Sequence, residues 1–127
     1  MAGKYLIDTN TVIDYLDNKL PATGANMLDA EELDISVITR MELLAWPNIE
    51  PEQISILNQF INSVVVWGLD EPVILKGIEV RKEYHIKLPD AIIAATALVY
   101  NLSLVTRNTD DFKNIKGINL INPWEKL

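Results

Sequence analysis

The chain has 127 residues, of which 49% are hydrophobic and 23% are charged, and it has no cysteine. The lack of cysteine excludes disulfide frameworks, thiolate zinc sites and cysteine nucleophiles, and it fits a reducing, cytoplasmic setting. The formal net charge of -7 and the lack of a Lys/Arg cluster argue at first against a phosphate-rich partner. We expect one domain over 1–127 and no membrane partner, because the longest nearly apolar run, 91–100, is too short to span a bilayer.

The first third of the chain alternates short apolar runs with helical patterns. Residues 4–7 form an apolar run that ends at Asp8, which predicts a strand followed by a polar turn. The apolar spacing within 12–16 predicts a helix after that turn. A short helix over 25–30 and a second strand over 33–35 follow.

The middle of the chain repeats this alternation. Ser36 is the expected N-cap of a helix that carries Glu42 and that Pro47 stops. Pro51 suits the first turn of the next helix, and the β-branched run 64–66 predicts a third strand.

The last third carries two helical patterns and the remaining strands. Apolar periodicity predicts a helix over 73–84, and Pro89 predicts the first turn of an alanine-rich helix over 90–100 that stops at a left-handed Asn101. The remaining predicted elements are a strand over 103–106, a polar turn over 107–112 and a fifth strand over 118–121.

Short β-branched strands that alternate with helices of about ten residues predict a parallel sheet covered by helices on both faces. We therefore expect a three-layer α/β/α domain with a central, mostly parallel sheet of four to five strands. Ligands of such sheets bind outside the carboxyl ends of the strands, so polar residues just after strands are the first candidates for a site.

The residues that this rule selects are nearly all acidic: Asp8, Glu42, Asp90, Asn108, Asp110 and Asp111. Two carboxylates ~4 Å apart repel by about 4 kcal/mol at an effective dielectric of ~20, so such a cluster needs a cation or protons. Oxygen ligands without cysteine or a histidine group favour Mg2+ or Mn2+ over zinc. A metal of this type activates a water for phosphodiester hydrolysis.

Each acidic residue also has a simpler structural explanation. Asp8 could be simply the cap of the following helix. Asp90 could simply stabilise a helix dipole, an effect of roughly 0.3 to 1 kcal/mol. Glu42 in isolation would be an exposed helix residue, and one of Asp110 and Asp111 is expected to cap the turn through 112.

Two arginines stand beside the candidate polar residues. Arg40 and Arg107 flank Glu42 and Asn108, so they could hold an RNA backbone, although a solvated surface arginine is an equally good explanation of each. His85, the single histidine, is expected at an exposed helix end. No glycine-rich turn follows a strand, so ATP and NAD are not expected ligands.

Four segments together resemble the motifs of PIN-domain ribonucleases, and most closely the VapC-type toxins of bacterial toxin-antitoxin pairs. They are Tyr-Leu-Ile-Asp-Thr-Asn at 5–10, Thr-Arg-Met-Glu-Leu at 39–43, Leu-Pro-Asp-Ala-Ile-Ile-Ala-Ala at 88–95 and Leu-Val-Thr-Arg-Asn-Thr-Asp-Asp-Phe at 104–112. The four segments have the order and spacing of the family's motifs, and the resemblance covers essentially the whole chain.

The resemblance implies a metal-dependent endoribonuclease that is a homodimer and is inhibited by a small antitoxin. It implies that Asp8, Glu42 and Asp90 are Mg2+ or Mn2+ ligands. The fourth motif departs from the family, since Asn108 is neutral and the acidic contributor is then Asp111. The residues expected to support the ligands or the water are Thr9, Asn10, Thr106 and Asn108. A negative groove suits a basic antitoxin segment.

Three other functions remain open. The segment 8–12 imitates the nucleophile loop of haloacid-dehalogenase-like phosphohydrolases, with Asp8 as nucleophile, but the second aspartate of that loop is Asn10 here. A receiver-like signalling domain would need adjacent acidic residues after the first strand, and these are absent. A PIN-like domain without catalysis, which only binds a partner, would keep the fold.

Overall fold

The computed structural model describes residues 5–125 and contains a five-stranded sheet in which all neighbouring strands run parallel. The strands are β1 Tyr5–Ile7, β2 Leu33–Ser36, β3 Val65–Trp67, β4 Ser103–Val105 and β5 Leu120–Ile121. Their order across the sheet is β3-β2-β1-β4-β5, so β1 is central. The predicted parallel α/β architecture is confirmed. Lys4, which the sequence assigned to the first strand, lies outside the described residues.

Seven helices connect the strands within the described part of the chain. They are α1 Thr9–Leu16, α2 Ala22–Asp29, α3 Val37–Leu44, α4 Pro51–Ser63, α5 Glu71–Tyr84, α6 Leu88–Val99 and α7 Thr109–Phe112. Within residues 5–125, no helix is both long enough and apolar enough to cross a bilayer.

Alternating side chains of the central strands divide the core between two faces of the sheet. Leu6 and Leu104 pack on one face with α6, α7 and part of α5, whereas Ile7 and Val105 pack on the other face with α1, α2, α3 and α4. Gly77 of α5 faces α6, and a Cβ at this position would lie 3.8 Å from the Cβ of Ala95, at ordinary packing distance. Helices therefore cover both faces of the sheet, and the ends of the strands are left as places for a functional site.

Local capping chemistry explains several predicted boundaries. The hydroxyl of Ser36 accepts a hydrogen bond from the backbone N–H of Ile38, as expected of an N-cap. Asn101 has a φ of 56°, which confirms the left-handed stop after α6. His85 also has a left-handed backbone and is the exposed C-cap of α5, so its predicted place at a helix end is confirmed.

Other boundaries were wrong. The predicted polar turn over 107–112 contains the short helix α7, because Asp110 and Asp111 in its first turn stabilise the helix N-terminus. The third strand begins at Val65 and includes Trp67, and the fifth strand is confined to Leu120–Ile121. The second helix begins at Ala22, three residues before its predicted start, and the carbonyl of Pro21 accepts its first hydrogen bond, from the N–H of Ala25 at 2.9 Å.

Candidate active site

The carboxyl ends of β1 and β4 meet the first turns of α1, α6 and α7 around a cleft of about 310 Å³. The residues that line this acidic cleft are Asp8, Thr9, Asn10, Glu42, Lys87, Pro89, Asp90, Ile93, Asn108, Asp111 and Phe112. The fold thus brings together side chains from all four motifs, which are up to about a hundred residues apart in the sequence.

Asp8 lies at the bottom of the acidic cleft, directly after β1, with 8% of its surface exposed. One carboxylate oxygen caps α1 by accepting a hydrogen bond from the backbone N–H of Thr11 at 3.0 Å. Burial raises the pKa of Asp8, hydrogen bonds from Thr106 and Thr11 act in the opposite direction, and the charge of Glu42 raises the pKa further. Capping and a place in the cleft are therefore compatible roles of one side chain.

The buried hydroxyl of Thr106 supports the other oxygen of Asp8. It donates a hydrogen bond to Oδ2 of Asp8 at 2.5 Å and accepts one from the backbone N–H of Asn108 at 3.0 Å. Since Thr106 follows β4 and Asp8 follows β1, this contact connects the ends of two neighbouring strands. It fixes the orientation of the carboxylate, as the supporting role predicted for Thr106 requires.

The hydroxyl of Thr11 lies close enough to Asp8 to lower its pKa. It is nevertheless fully buried, and it has no hydrogen-bond partner among residues 5–125. The hydrogen bonds that hold Asp8 are therefore those from the Thr11 backbone and from Thr106.

Thr9 contacts Glu42 and not Asp8. Its hydroxyl donates to Oε1 of Glu42 at 2.6 Å and lies 3.2 Å from the hydroxyl of the buried Thr39. Glu42 itself is exposed on α3, and this bond holds its side chain at the cleft wall. Asn10 also lines the cleft, but no hydrogen bond joins it to a carboxylate in the described residues.

Asp90 lies half-buried in the first turn of α6, opposite Asp8. Burial raises its pKa, and the negative charges of Asp111, Glu42 and, more weakly, Asp8 raise it further. The charge of Lys87 acts in the opposite direction. The acidic cleft therefore holds negative charges that oppose each other, with Lys87 as a cation in its lining.

The paired aspartates of α7 occupy different surroundings. Asp111 lines the acidic cleft, whereas Asp110 points into solvent and forms an exposed ion pair with Lys113 at 3.1 Å. The geometry thus favours Asp111 as the acidic contributor of the fourth motif, and Asn108 lines the cleft beside it.

The donor set of the cleft suits a hard divalent cation. All candidate ligands are oxygen atoms, and burial together with neighbouring negative charges raises the pKa of both Asp8 and Asp90. Among residues 5–125, no three His, Cys, Asp or Glu side chains form a preassembled metal-binding group. A cation would therefore have to draw these carboxylates inward.

The structure separates the remaining candidates from the cleft lining. Arg40 is exposed on α3, and Arg107 lies with its guanidinium over the ring of Trp124. Lys87, which the sequence interpretation missed, lines the cleft instead. Its position directly before the Leu-Pro-Asp motif was the available signal, because a residue just before a helix start faces the same edge as the first turn.

Comparison with known proteins gives a consistent result. Residues 5–118 match the sequence profile of the PIN domain. The tRNA(fMet)-specific endonuclease VapC of Salmonella typhimurium is 32% identical over 130 aligned positions, which cover 95% of this chain and 98% of that protein.

Solved structures share the fold. A toxin-antitoxin complex from Klebsiella pneumoniae contains a chain that is 32% identical, with a TM-score of 0.76. The match covers 96% of this chain and 99% of that chain. DNA-bound VapBC from Salmonella typhimurium contains a chain that is 29% identical, with a TM-score of 0.82 and coverage of 95% and 98%.

Proposed function

Because the chain belongs to the PIN domain family, we propose that it is a Mg2+- or Mn2+-dependent endoribonuclease, the toxin of a toxin-antitoxin pair. The observation that carries this proposal is the acidic cleft, in which Asp8, Glu42, Asp90 and Asp111 face one another without enough positive charge to balance them. The endonuclease name of the Salmonella typhimurium relative supports RNA as the substrate class. Cellular RNA would place this activity in the cytoplasm.

We assign the metal-ligand role to Asp8, Glu42 and Asp90, with Asp111 as a further acidic group of the site. A bound divalent ion would activate water and stabilise negative charge on the scissile phosphate. Thr106 keeps Asp8 oriented, and Thr9 keeps Glu42 at the cleft wall. Asn10 and Asn108 supply uncharged donors and acceptors at the rim, where they can orient a water or a ribose hydroxyl.

We propose a different role for the positively charged side chains near the cleft. A phosphate approaching an acidic cleft is repelled, so cations at the rim must compensate. Lys87 lines the cleft, and Arg40 and Arg107 are exposed arginines within the second and fourth motifs. We assign RNA-backbone contacts to these three side chains, because phosphate contacts position RNA without reading its bases.

Protein partners are part of the proposal. The relatives include chains of toxin-antitoxin complexes, which supports a small antitoxin partner, and we also propose a homodimer. Exposed apolar side chains form two surfaces that suit such contacts. One is a groove of about 610 Å³ between α5 and α6 that includes Ile78, 54% exposed. The other lies between α1 and α4 and includes Trp46, 50% exposed.

The direct test is cleavage of pooled cellular RNA by the purified protein in Mn2+ or in EDTA, with the cut ends mapped. We expect discrete cuts that require the metal. Asp90→Asn should reduce the rate of cleavage by at least about 100-fold, and Asp111→Asn should reduce it by about 10-fold. Asp110→Asn is the matched control, because it removes the same charge from the solvent side of α7.

Cutting that persists in EDTA or in Asp90→Asn would refute the metal assignment. Hydrolysis of p-nitrophenyl phosphate without RNA cleavage would instead support the phosphohydrolase function. Binding of an antitoxin without any hydrolysis would support a catalytically silent PIN domain.

A further inference from the structure

The chain after β5 folds back against the sheet as a short, well-anchored turn. The side-chain oxygen of Asn122 accepts a hydrogen bond from the backbone N–H of Trp124 at 3.0 Å, and its carbonyl accepts one from the N–H of Glu125 at 3.1 Å. Pro123 packs directly on Gly24 of α2, where a Cβ atom would lie 2.1 Å from the proline carbonyl oxygen. The absence of a side chain at Gly24 is therefore required for this turn to lie where it does.

The anchored turn presents the ring of Trp124 to Arg107. The guanidinium carbon lies 4.9 Å from the ring centroid, which is within the range of a cation–π interaction. Trp124 is half-buried against the core cluster that contains Ile7 and Val105, so its ring has a fixed place. Arg107 is exposed, and in the described part of the chain no ion pair occupies it.

Arg107 lies beside the acidic cleft but on the opposite face of the sheet from Lys87. Its neighbours in sequence are Thr106, which bonds to Asp8, and Asn108, which lines the cleft. Trp124 belongs to the face covered by α1, α2 and α4, whereas Lys87 precedes α6 on the other face. The two cations thus lie towards different faces of the sheet, Lys87 in the cleft lining and Arg107 against Trp124.

We propose that Trp124 is a positioning residue that holds Arg107 in place to contact the RNA backbone beside the acidic cleft. The proposal rests on the proposed ribonuclease function and adds the element that orients this arginine. An arginine stacked on an aromatic ring keeps its N–H groups free for a phosphate and loses less rotamer freedom on binding than an unsupported one. With a net charge of -7, such a fixed cation matters for RNA capture.

The test measures binding of labelled bulk tRNA in EDTA, so that it does not depend on cleavage. Arg107→Gln should raise Kd by about 5-fold and reduce the slope of log K against log salt by about one. Trp124→Leu should raise Kd by about 3-fold. The double variant should bind RNA no more weakly than Arg107→Gln does. Trp124→Phe should keep most of the binding, because it keeps an aromatic face.

Lys19→Gln is the matched charge control, since Lys19 lies beyond the far end of α1, about 12 Å along the helix from Asp8. Its Kd and salt slope should change less than those of Arg107→Gln. Where wild-type protein cleaves tRNA, Arg107→Gln and Trp124→Leu should raise KM and leave kcat within about twofold.

Thermal unfolding of every variant separates a lost contact from a lost fold. An unchanged Kd in folded Arg107→Gln would overturn the RNA contact. Additive effects of the two substitutions, or a Trp124→Phe variant as weak as Trp124→Leu, would overturn the positioning role. A wild-type protein that binds tRNA in this way but cuts no RNA would contradict the proposed function and leave the contact standing.

Discussion

The two ends of the sheet both carry acidic clefts, but their chemistry differs. At the amino ends of β2 and β3, a second cleft of about 620 Å³ is lined by Asp29, Glu31 and Glu32. There the hydroxyl of Tyr15 donates a hydrogen bond to Asp29, and burial together with this bond raises the pKa of Tyr15 to about 12. A neutral donor thus satisfies the carboxylate that it contacts.

In the acidic cleft at the carboxyl ends, no hydroxyl of residues 5–125 donates a hydrogen bond to Asp90, which faces the charges of Asp111 and Glu42. Acidic side chains gathered in one cleft can therefore mark either a solvated edge or a site with unbalanced charge. Mutual opposition of carboxylates, and not their number, distinguishes the cleft that we propose as the active site.

The largest contrast between the clefts should appear when one carboxylate is neutralised in each. We expect Asp8→Asn to reduce RNA cleavage by at least about 100-fold, because it removes a ligand charge at the bottom of the acidic cleft. Asn can still cap α1, so the fold should persist. Asp29→Asn should leave cleavage within about twofold, and an equal loss in both variants would erase the distinction.

Removing the support of Asp8 should have the next largest effect. Thr106→Val keeps the shape of the side chain but removes the donor to Asp8, so we expect a loss of about 10- to 100-fold in metal affinity or cleavage. Thr96→Val is the matched control, because Thr96 is equally buried but donates to the carbonyl of Ile92 within α6. Metal titration of both variants should separate them; similar titrations would remove Thr106 from the site.

The opposed charges also predict how stability depends on pH. Because the folded state raises the pKa of Asp8 and Asp90 above their ordinary value of 3.8, it holds protons that the unfolded chain releases. The free energy of unfolding should therefore fall as pH rises from about 3.8 through the raised pKa values, and stay lower above them. Asp90→Asn should lose part of this fall, as measured by denaturant unfolding from pH 3 to 7.

Divalent ions should act on the same charges. At pH 7, Mn2+ should raise the melting temperature of the wild type, and the increase should shrink below the raised pKa values, where the carboxylates are protonated. A shift of equal size in Asp8→Asn would show that the ion binds elsewhere.

The smallest expected effect belongs to the second cleft. Tyr15→Phe removes the donor to Asp29 at a partly exposed position, so we expect a loss of only about 0.5 kcal/mol in the free energy of unfolding. RNA cleavage and the Mn2+ shift should not change. A loss of cleavage would mean that the two ends of the sheet are coupled.

Sequence patterns predicted the order of strands and helices because most strands are short apolar runs and most helices have recognisable caps, as Ser36 and Asn101 illustrate. They failed at α7, where polar residues suited both a turn and a helix start. They also could not separate Asp110 from Asp111, because one residue of difference in a helix turns a side chain by about 100°.

By itself, the sequence determined the parallel α/β architecture and the set of polar residues that follow its strands. These depend on local periodicity and on a general property of parallel sheets. Only the tertiary structure decided that Thr106 supports Asp8, that Thr9 holds Glu42, that Lys87 lines the cleft and that Arg107 rests on Trp124. Those contacts join residues far apart in the chain, and their geometry follows from how the strands and helices pack together.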